Sequence, residues 1–328
     1  MRTADLRGAR VLVTGGAGFI GSHLVRRVHA MGSEVSVVTK YNSVIDNVRL
    51  AAIWDDIRVI EADLRNPDSV ARLRGAEFDF VFHFAAYNHV GDSFVHVIEA
   101  MSSNAMGTVN LVEACAGSKA FVYIASSEVY GHQSESPWHE GLTPFPISPY
   151  SVGKYSGELF ARMAWHVRAQ PIVVLRPFNA FGPYQSQRAV VAELILKCLR
   201  GEPVQSTEGV QTRDFNYVGN LIDGILLAAT EPKAIGEVIN LGSGRDISIR
   251  ELILKIHALT GSRSELQIGA LPYRPTEIWK MVADSRKAAD LLGWEPRIAL
   301  DEGLERTVAW YRKFLDVYCR PDSRLLGL

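Results

Sequence analysis

The sequence predicts an α/β fold: a doubly wound parallel sheet with a smaller mixed α/β lobe, the latter expected to bind substrate. Three observations carry this. Short apolar runs alternate with helical stretches five or six times before residue 178. One of them, 80–86, is apolar but for His83, as in a strand covered on both faces. A glycine-rich turn separates the first run from the first helix. The 328 residues are 47% hydrophobic and 22% charged, enough to bury a large core in two lobes. We place the lobes at 1–178 and 179–328, with a return strand near 237–241 joining the first. A formal net charge of -1 without a basic block argues against nucleic acid or a membrane surface as partner. No apolar leader or bilayer-length run is present. Cys115, Cys198 and Cys319 are scattered and odd in number, fitting a reducing cytoplasm. Nine histidines without paired-ligand spacing predict no metal site.

Taken in order, Arg10–Thr14 is the first strand. It stops at Gly15-Gly16-Ala17-Gly18-Phe19-Ile20-Gly21, and 22–31 reads as helix. Strand, glycine turn and helix together make a dinucleotide loop, the Rossmann arrangement. Gly15 allows the turn, Gly18 admits the pyrophosphate, Gly21 lets helix pack on strand, and the helix N-terminus faces the phosphates. Glu34–Thr39 is the second strand. Where an acid for the ribose hydroxyls is usual, about twenty residues on, stand Thr39 and Lys40. A lysine there suits a 2′-phosphate, so NAD or NADP is expected, with a tilt to NADP. Residues 57–60 are the third strand, followed by Asp63 and Leu64; Asp63 can meet the adenine amine or cap the turn at Pro67. The fourth strand ends in Phe84, Ala85 and Ala86, small residues where ribose and pyrophosphate would pass, and its His83 reads as a satisfied core histidine. Helix is expected over 95–116, carrying Asn104. Residues 120–125 form the fifth strand and run into Ser126-Ser127-Glu128. Ligands of such sheets lie beyond the carboxyl ends of the strands, so these groups fall in the catalytic crevice.

Residues 132–148 are a polar, proline-rich loop over that crevice. A helix through about 168 then begins at Pro149, with Tyr150 and Lys154 four apart on one face. An ammonium beside a phenol favours its ionised form, so Tyr150 should fall toward neutral pH and exchange a proton with an alcohol. Residues 172–175 are the sixth strand. Beyond 181 the pattern is irregular: helices over 190–200, 249–260 and 300–314, a turn at 209–215 and the return strand 237–241.

Jointly, the glycine turn, Asp63-Leu64, His83-Phe84-Ala85-Ala86, Tyr150 to Lys154, Arg176-Pro177-Phe178-Asn179, Thr212-Arg213-Asp214-Phe215 and Arg274-Pro275-Thr276-Glu277 resemble the extended short-chain dehydrogenase/reductase family of nucleotide-sugar epimerases and dehydratases. The resemblance covers almost the whole chain. It implies a nucleotide-diphosphate sugar as substrate, hydride transfer from sugar C4 to bound NAD(P), and a homodimer formed through the helices of 95–116 and 150–168. Ser126 would bond the 4-hydroxyl, Tyr150 take its proton, Lys154 hold the nicotinamide ribose, and Asn104 support that lysine. Ser126-Ser127-Glu128 looks like the Thr-Ser-Glu of the GDP-mannose type of dehydratase, where the carboxylate removes the C5 proton and a neighbour, here Ser127, protonates the departing hydroxyl. The 4,6-dehydratase is therefore expected first. A 4-epimerase, then a uronate decarboxylase, a 4-keto-sugar reductase or a non-enzymatic dinucleotide-binding protein, are the other readings. Asn179, Arg213 and Arg274 are expected around the diphosphate, which guanidinium meets with a two-pronged fork. Gly219-Asn220 departs from the aspartate usual in the family at that point.

Overall fold

A computed structural model describes residues 4–40, 49–274 and 276–318; Cys319 and Pro275 lie outside them. Seven parallel strands form the main sheet: β1 (Arg10–Thr14), β2 (Glu34–Thr39), β3 (Arg58–Glu61), β4 (Phe80–His83), β5 (Ala120–Ile124), β6 (Ile172–Pro177) and, after three strands of the second lobe, β10 (Val238–Leu241). Their spatial order is β10-β6-β5-β4-β1-β2-β3. The order reverses between β1 and β4, the switch point beside which doubly wound sheets bind ligands.

The helices in chain order are α1 (Phe19–Ala30), α2 (Pro67–Val70), α3 (Val90–Ser93), α4 (Val97–Met101), α5 (Gly107–Ala114), α6 (Pro149–Arg168), α7 (Val190–Arg200), α8 (Val218–Thr230), α9 (Ile249–Thr260), α10 (Arg286–Leu292), α11 (Leu300–Lys313) and α12 (Leu315–Tyr318). Successive strand residues face opposite sides of a sheet, and two cores result. Val11, Val13, Val35 and Val37 pack with Leu24 and Val28 of α1 and Leu221 and Ile225 of α8. Leu12, Val81 and Phe121 pack with Leu111 of α5 and Ala161 of α6. The second lobe holds β7 (Asn179–Phe181), β8 (Val204–Ser206), β9 (Thr212–Tyr217), β11 (Asp246–Ser248), β12 (Leu266–Ile268) and β13 (Lys280–Met281). Its core lies among α7, α9 and α11.

Four expectations need correction. The helix expected over 95–116 is broken: α4 ends at Met101, a π-turn spans Ser102–Met106, and α5 follows. The supposed turn over 209–215 contains β9, which pairs with β7, β11 and β13. The first helix begins at Phe19, three residues earlier than read, so Phe19, Ile20 and Gly21 are its first turn. Finally, the chain past 178 rejoins the first lobe through more than the return strand β10, because Ile225 of α8 and Leu292 of α10 enter the same core as β1.

Candidate active site

The glycine turn closes with the Gly18 N–H donating to the Gly15 carbonyl at 2.9 Å. Gly15 has φ +68°, and a Cβ there would lie 2.7 Å from the Ala85 nitrogen, so only glycine fits between β1 and the end of β4. At Gly21 a Cβ would meet the Gly15 carbonyl oxygen at 2.3 Å. No side chain caps the N-terminus of α1, which leaves its first N–H groups for an anion.

A cleft of about 730 Å³ opens from this turn. Gly15, Gly18, Phe19, Thr39, Lys40, Asp63, Leu64, Phe84, Ala85 and Ala86 all line it. Among the described residues the Thr39 hydroxyl oxygen, which is buried, finds no hydrogen-bond partner. An uncapped helix end, a glycine cradle and an orphan hydroxyl fit a dinucleotide. Ile20, Gly21, Asn104, Tyr150 and Lys154 are not among the lining residues.

Where the sequence places the adenine, Asp63 neither caps α2 nor stands free. Asn66 is the cap, accepting from the Asp68 N–H, and the Asp63 carboxylate is forked onto Arg65 at 2.6–3.1 Å. That guanidinium holds the carboxyl below the ordinary aspartate range. Lys40 is half exposed and lies 3.7 Å from Glu99. His83 is a satisfied core residue as expected, bonded to Thr14 at 2.7 Å and Thr108 at 3.0 Å, and burial pushes it down to about 3.

The catalytic candidates converge beyond β5. Ser148 and Ser151 form a reciprocal capping box around Pro149, which starts α6 one residue before Tyr150. The Tyr150 phenol lies against Ser126, and burial raises it to about 12 despite the opposing pull of that serine. This corrects the expected depression by Lys154. The lysine ammonium donates to the Ile124 carbonyl at 2.5 Å and sits 5.0 Å over the Tyr123 ring. Burial lowers it to about 7. Asn104, in the π-turn, accepts from the Tyr87 N–H at 2.7 Å and donates to the Tyr87 carbonyl at 3.1 Å and the Tyr150 carbonyl at 3.5 Å. It therefore ties the end of β4 to the start of α6 and does not touch the lysine ammonium.

Ser126 caps the turn Ser127–Tyr130, its hydroxyl accepting from the Glu128 N–H. Burial raises the Glu128 carboxyl; Arg213 and Arg274 oppose this and Glu277 adds to it. Ser127 points its hydroxyl at the Met281 sulfur, 3.6 Å away. The Asn179 amide meets the same sulfur at 3.4 Å and the Asp214 carbonyl at 3.2 Å. Arg213 is already held by Glu277 at 2.5 Å and by the Ile278 and Thr212 carbonyls. Arg274 is exposed. Asn220 supplies the lobe contact where the family has aspartate, accepting from the Arg297 and Ile298 N–H groups at 3.1 and 3.0 Å.

Sequence reasoning assigned no role at the cleft to Arg65, His89, Gln185 and Arg188, which also line it, or to Glu277 beside Arg213. A basic residue two positions after Asp63 was a usable signal for the first, Gln185 and Arg188 stand in a stretch that looks like bacterial dehydratases of amino-sugar pathways, and Glu277 closes the Arg274-Pro275-Thr276-Glu277 motif.

The family model described as GDP-mannose 4,6 dehydratase matches residues 12–307. The dTDP-D-glucose 4,6-dehydratase of Mus musculus is 31% identical over 323 residues, covering 93% of this chain and 89% of that protein. An epimerase structure from Methanothermobacter thermautotrophicus superposes with a TM-score of 0.89 at 30% identity, covering 95% of this chain and 94% of that one. The UDP-glucuronic acid 4-epimerase of Bacillus cereus, in complex with UDP-glucuronic acid and NAD, gives 0.84 at 32% identity, covering 93% and 99%. A parallel sheet with a glycine cradle and a Ser/Tyr/Lys site beside it defines a nicotinamide-dinucleotide enzyme of the short-chain type. The chain belongs to the extended short-chain dehydrogenase/reductase family of nucleotide-sugar epimerases and dehydratases. It is an NAD(P)-binding, nucleotide-sugar-modifying enzyme.

Proposed function

We propose that this enzyme is an NDP-hexose 4,6-dehydratase, with 1–178 serving NAD(P) and 179–328 the sugar nucleotide. The observation that carries the reading is Glu128, a carboxyl close enough to Tyr150 for its charge to raise the phenol. When bound, the nicotinamide supplies a hydride acceptor for sugar C4 and returns that hydride later. Tyr150, held by Ser126, takes the 4-hydroxyl proton. A ketone at C4 acidifies C5–H, and Glu128 is the base within reach of the same ring. Burial suits it to that exchange, because a carboxyl raised toward neutrality both takes and gives a proton. The C6 hydroxyl would leave as water with a proton relayed by Ser127, and hydride returned to C6 with a proton from Glu128 at C5 would then give a 4-keto-6-deoxy sugar. Arg213 and Arg274 supply positive charge for the diphosphate, and Asn179 an amide beside it. Lys40 and Arg65 place two cations at the adenosine end and Asp63 and Glu99 balance them, so NAD and NADP both fit.

The 4-epimerase is the second reading, favoured by Ser127: a hydroxyl turned to a thioether is a poor proton donor to a leaving group. Incubation with GDP-, UDP-, CDP- and dTDP-hexoses separates the two. The expected product is a 4-keto-6-deoxy sugar, with Glu128→Gln cutting its formation by roughly 10²–10⁴. A C4-inverted sugar with no loss of water would make the epimerase correct.

A further inference from the structure

Gln185 belongs to the second lobe yet reaches the dinucleotide cleft. Its residue is 8% exposed, and nearly every polar atom has a partner. The backbone N–H donates to the Gly182 carbonyl at 3.3 Å. The backbone carbonyl accepts from the Tyr311 hydroxyl at 2.5 Å. The side-chain Nε2 donates to the Ala180 carbonyl at 2.8 Å. That bond fixes the amide's orientation, because a flipped amide would set two acceptors against each other. Among the described residues the carbonyl Oε1 is left buried without a hydrogen-bond partner, an arrangement that costs free energy unless a donor comes to it. Across the same cleft the Thr39 hydroxyl is also buried without a partner.

We propose that Gln185 is a cofactor-binding residue whose Oε1 accepts a hydrogen bond from the dinucleotide, so that the second lobe helps to hold a cofactor cradled mainly by the first. Only an O–H or N–H can serve such an acceptor. That selects a ribose hydroxyl or an amide or amine N–H and excludes the phosphates. The segment carrying Gln185 is built to stay in place. The Arg49 Nε donates to the Tyr184 carbonyl at 3.0 Å, and Arg188 pairs with Asp92 of the first lobe at 2.6 Å.

The test is Gln185→Met, which keeps the length and removes both the acceptor and the amide's bond to the Ala180 carbonyl. Affinities for NADH and NADPH are read by fluorescence titration, beside those for UDP and dTDP and the melting temperature of the cofactor-free protein. We expect the affinity for the preferred dinucleotide to fall roughly two- to tenfold, the loss of one hydrogen bond, with nucleoside diphosphate binding unchanged and melting lowered only by the loss of the Ala180 bond. Unchanged dinucleotide affinity, or a loss confined to UDP or dTDP, overturns the proposal. Should the variant fail to fold, amide exchange in the native protein decides. NAD(P)H alone should protect residues 182–189, and absence of protection sinks the idea.

Discussion

Lys154 is carried inside the protein with one carbonyl and one ring to hold its charge. Burial lowers it to about 7 from 10.5, and the sign of the consequence is definite. Between those two values the unfolded chain keeps a proton that the folded chain has lost, so stability rises with pH across that window. Below it both states hold the proton, and the folded one bears the full cost of a buried ammonium. Urea unfolding of cofactor-free protein from pH 7 to 10 should show this rise, and Lys154→Met should flatten it. An identical slope in the two proteins would mean that the ammonium is not desolvated. Tyr150 shifts the other way: raised to about 12, it needs added positive charge before it serves as a base near neutrality. The sequence placed Tyr150 and Lys154 on one helical face correctly. It did not reveal the lysine's turn toward Ile124, because the ring and carbonyl that hold the ammonium lie about thirty residues away on β5.

At the level of elements, α6 is positioned by absence of side chains. A Cβ at Gly157 would lie 2.6 Å from the Tyr123 hydroxyl and 2.8 Å from the Asn104 carbonyl oxygen; at Gly153 it would lie 2.9 Å from the Asn104 Cβ. Gly157→Ala should therefore push α6 off the π-turn, lowering stability by about 1–3 kcal/mol and kcat with it. Chemical denaturation and steady-state rates check both, and a fully active, equally stable variant would contradict the packing argument. Elements that resisted prediction have the same kind of cause. α8 escaped notice because Gly219 and Gly224 interrupt its pattern, yet Gly224 is there for close approach: a Cβ would sit 3.0 Å from Leu241 and Trp294. β9 reads as a charged turn because it contains Arg213 and Asp214. Asp214 is nonetheless fully buried, its carboxylate accepting from the N–H groups of Ser243, Gly244 and Ala283. Those partners lie far along the chain, beyond the reach of any local window. β1, β2 and α7 were legible because their apolar spacing is contiguous and their ends are marked.

On the scale of the whole molecule, one surface stays apolar. Val95 and Ile98 are each 79% exposed and Val167 is 70% exposed. Val152, Leu159 and Met163 continue the stripe down α6. Patches of this kind mark association surfaces, and self-pairing of two such faces buries both. Light scattering should find a dimer, and Ile98→Glu combined with Leu159→Glu should give monomers. A native protein monomeric at micromolar concentration would refute the pairing. Among the described residues no helix is long and apolar enough to cross a membrane.

The π-turn at Ser102–Met106 has a consequence for how this gene can drift. It accommodates one residue more than regular helix would need, and that extra residue sets the rotational phase of Asn104 against Tyr87 and Tyr150. Loss of a single codon there would let the helix run straight, with better-formed backbone bonds, and would swing Asn104 away by about 100°. The position of Asn104 thus depends on chain length in this stretch more than on the identity of its neighbouring side chains, and the expected deletion phenotype is a sound fold with a misplaced Asn104.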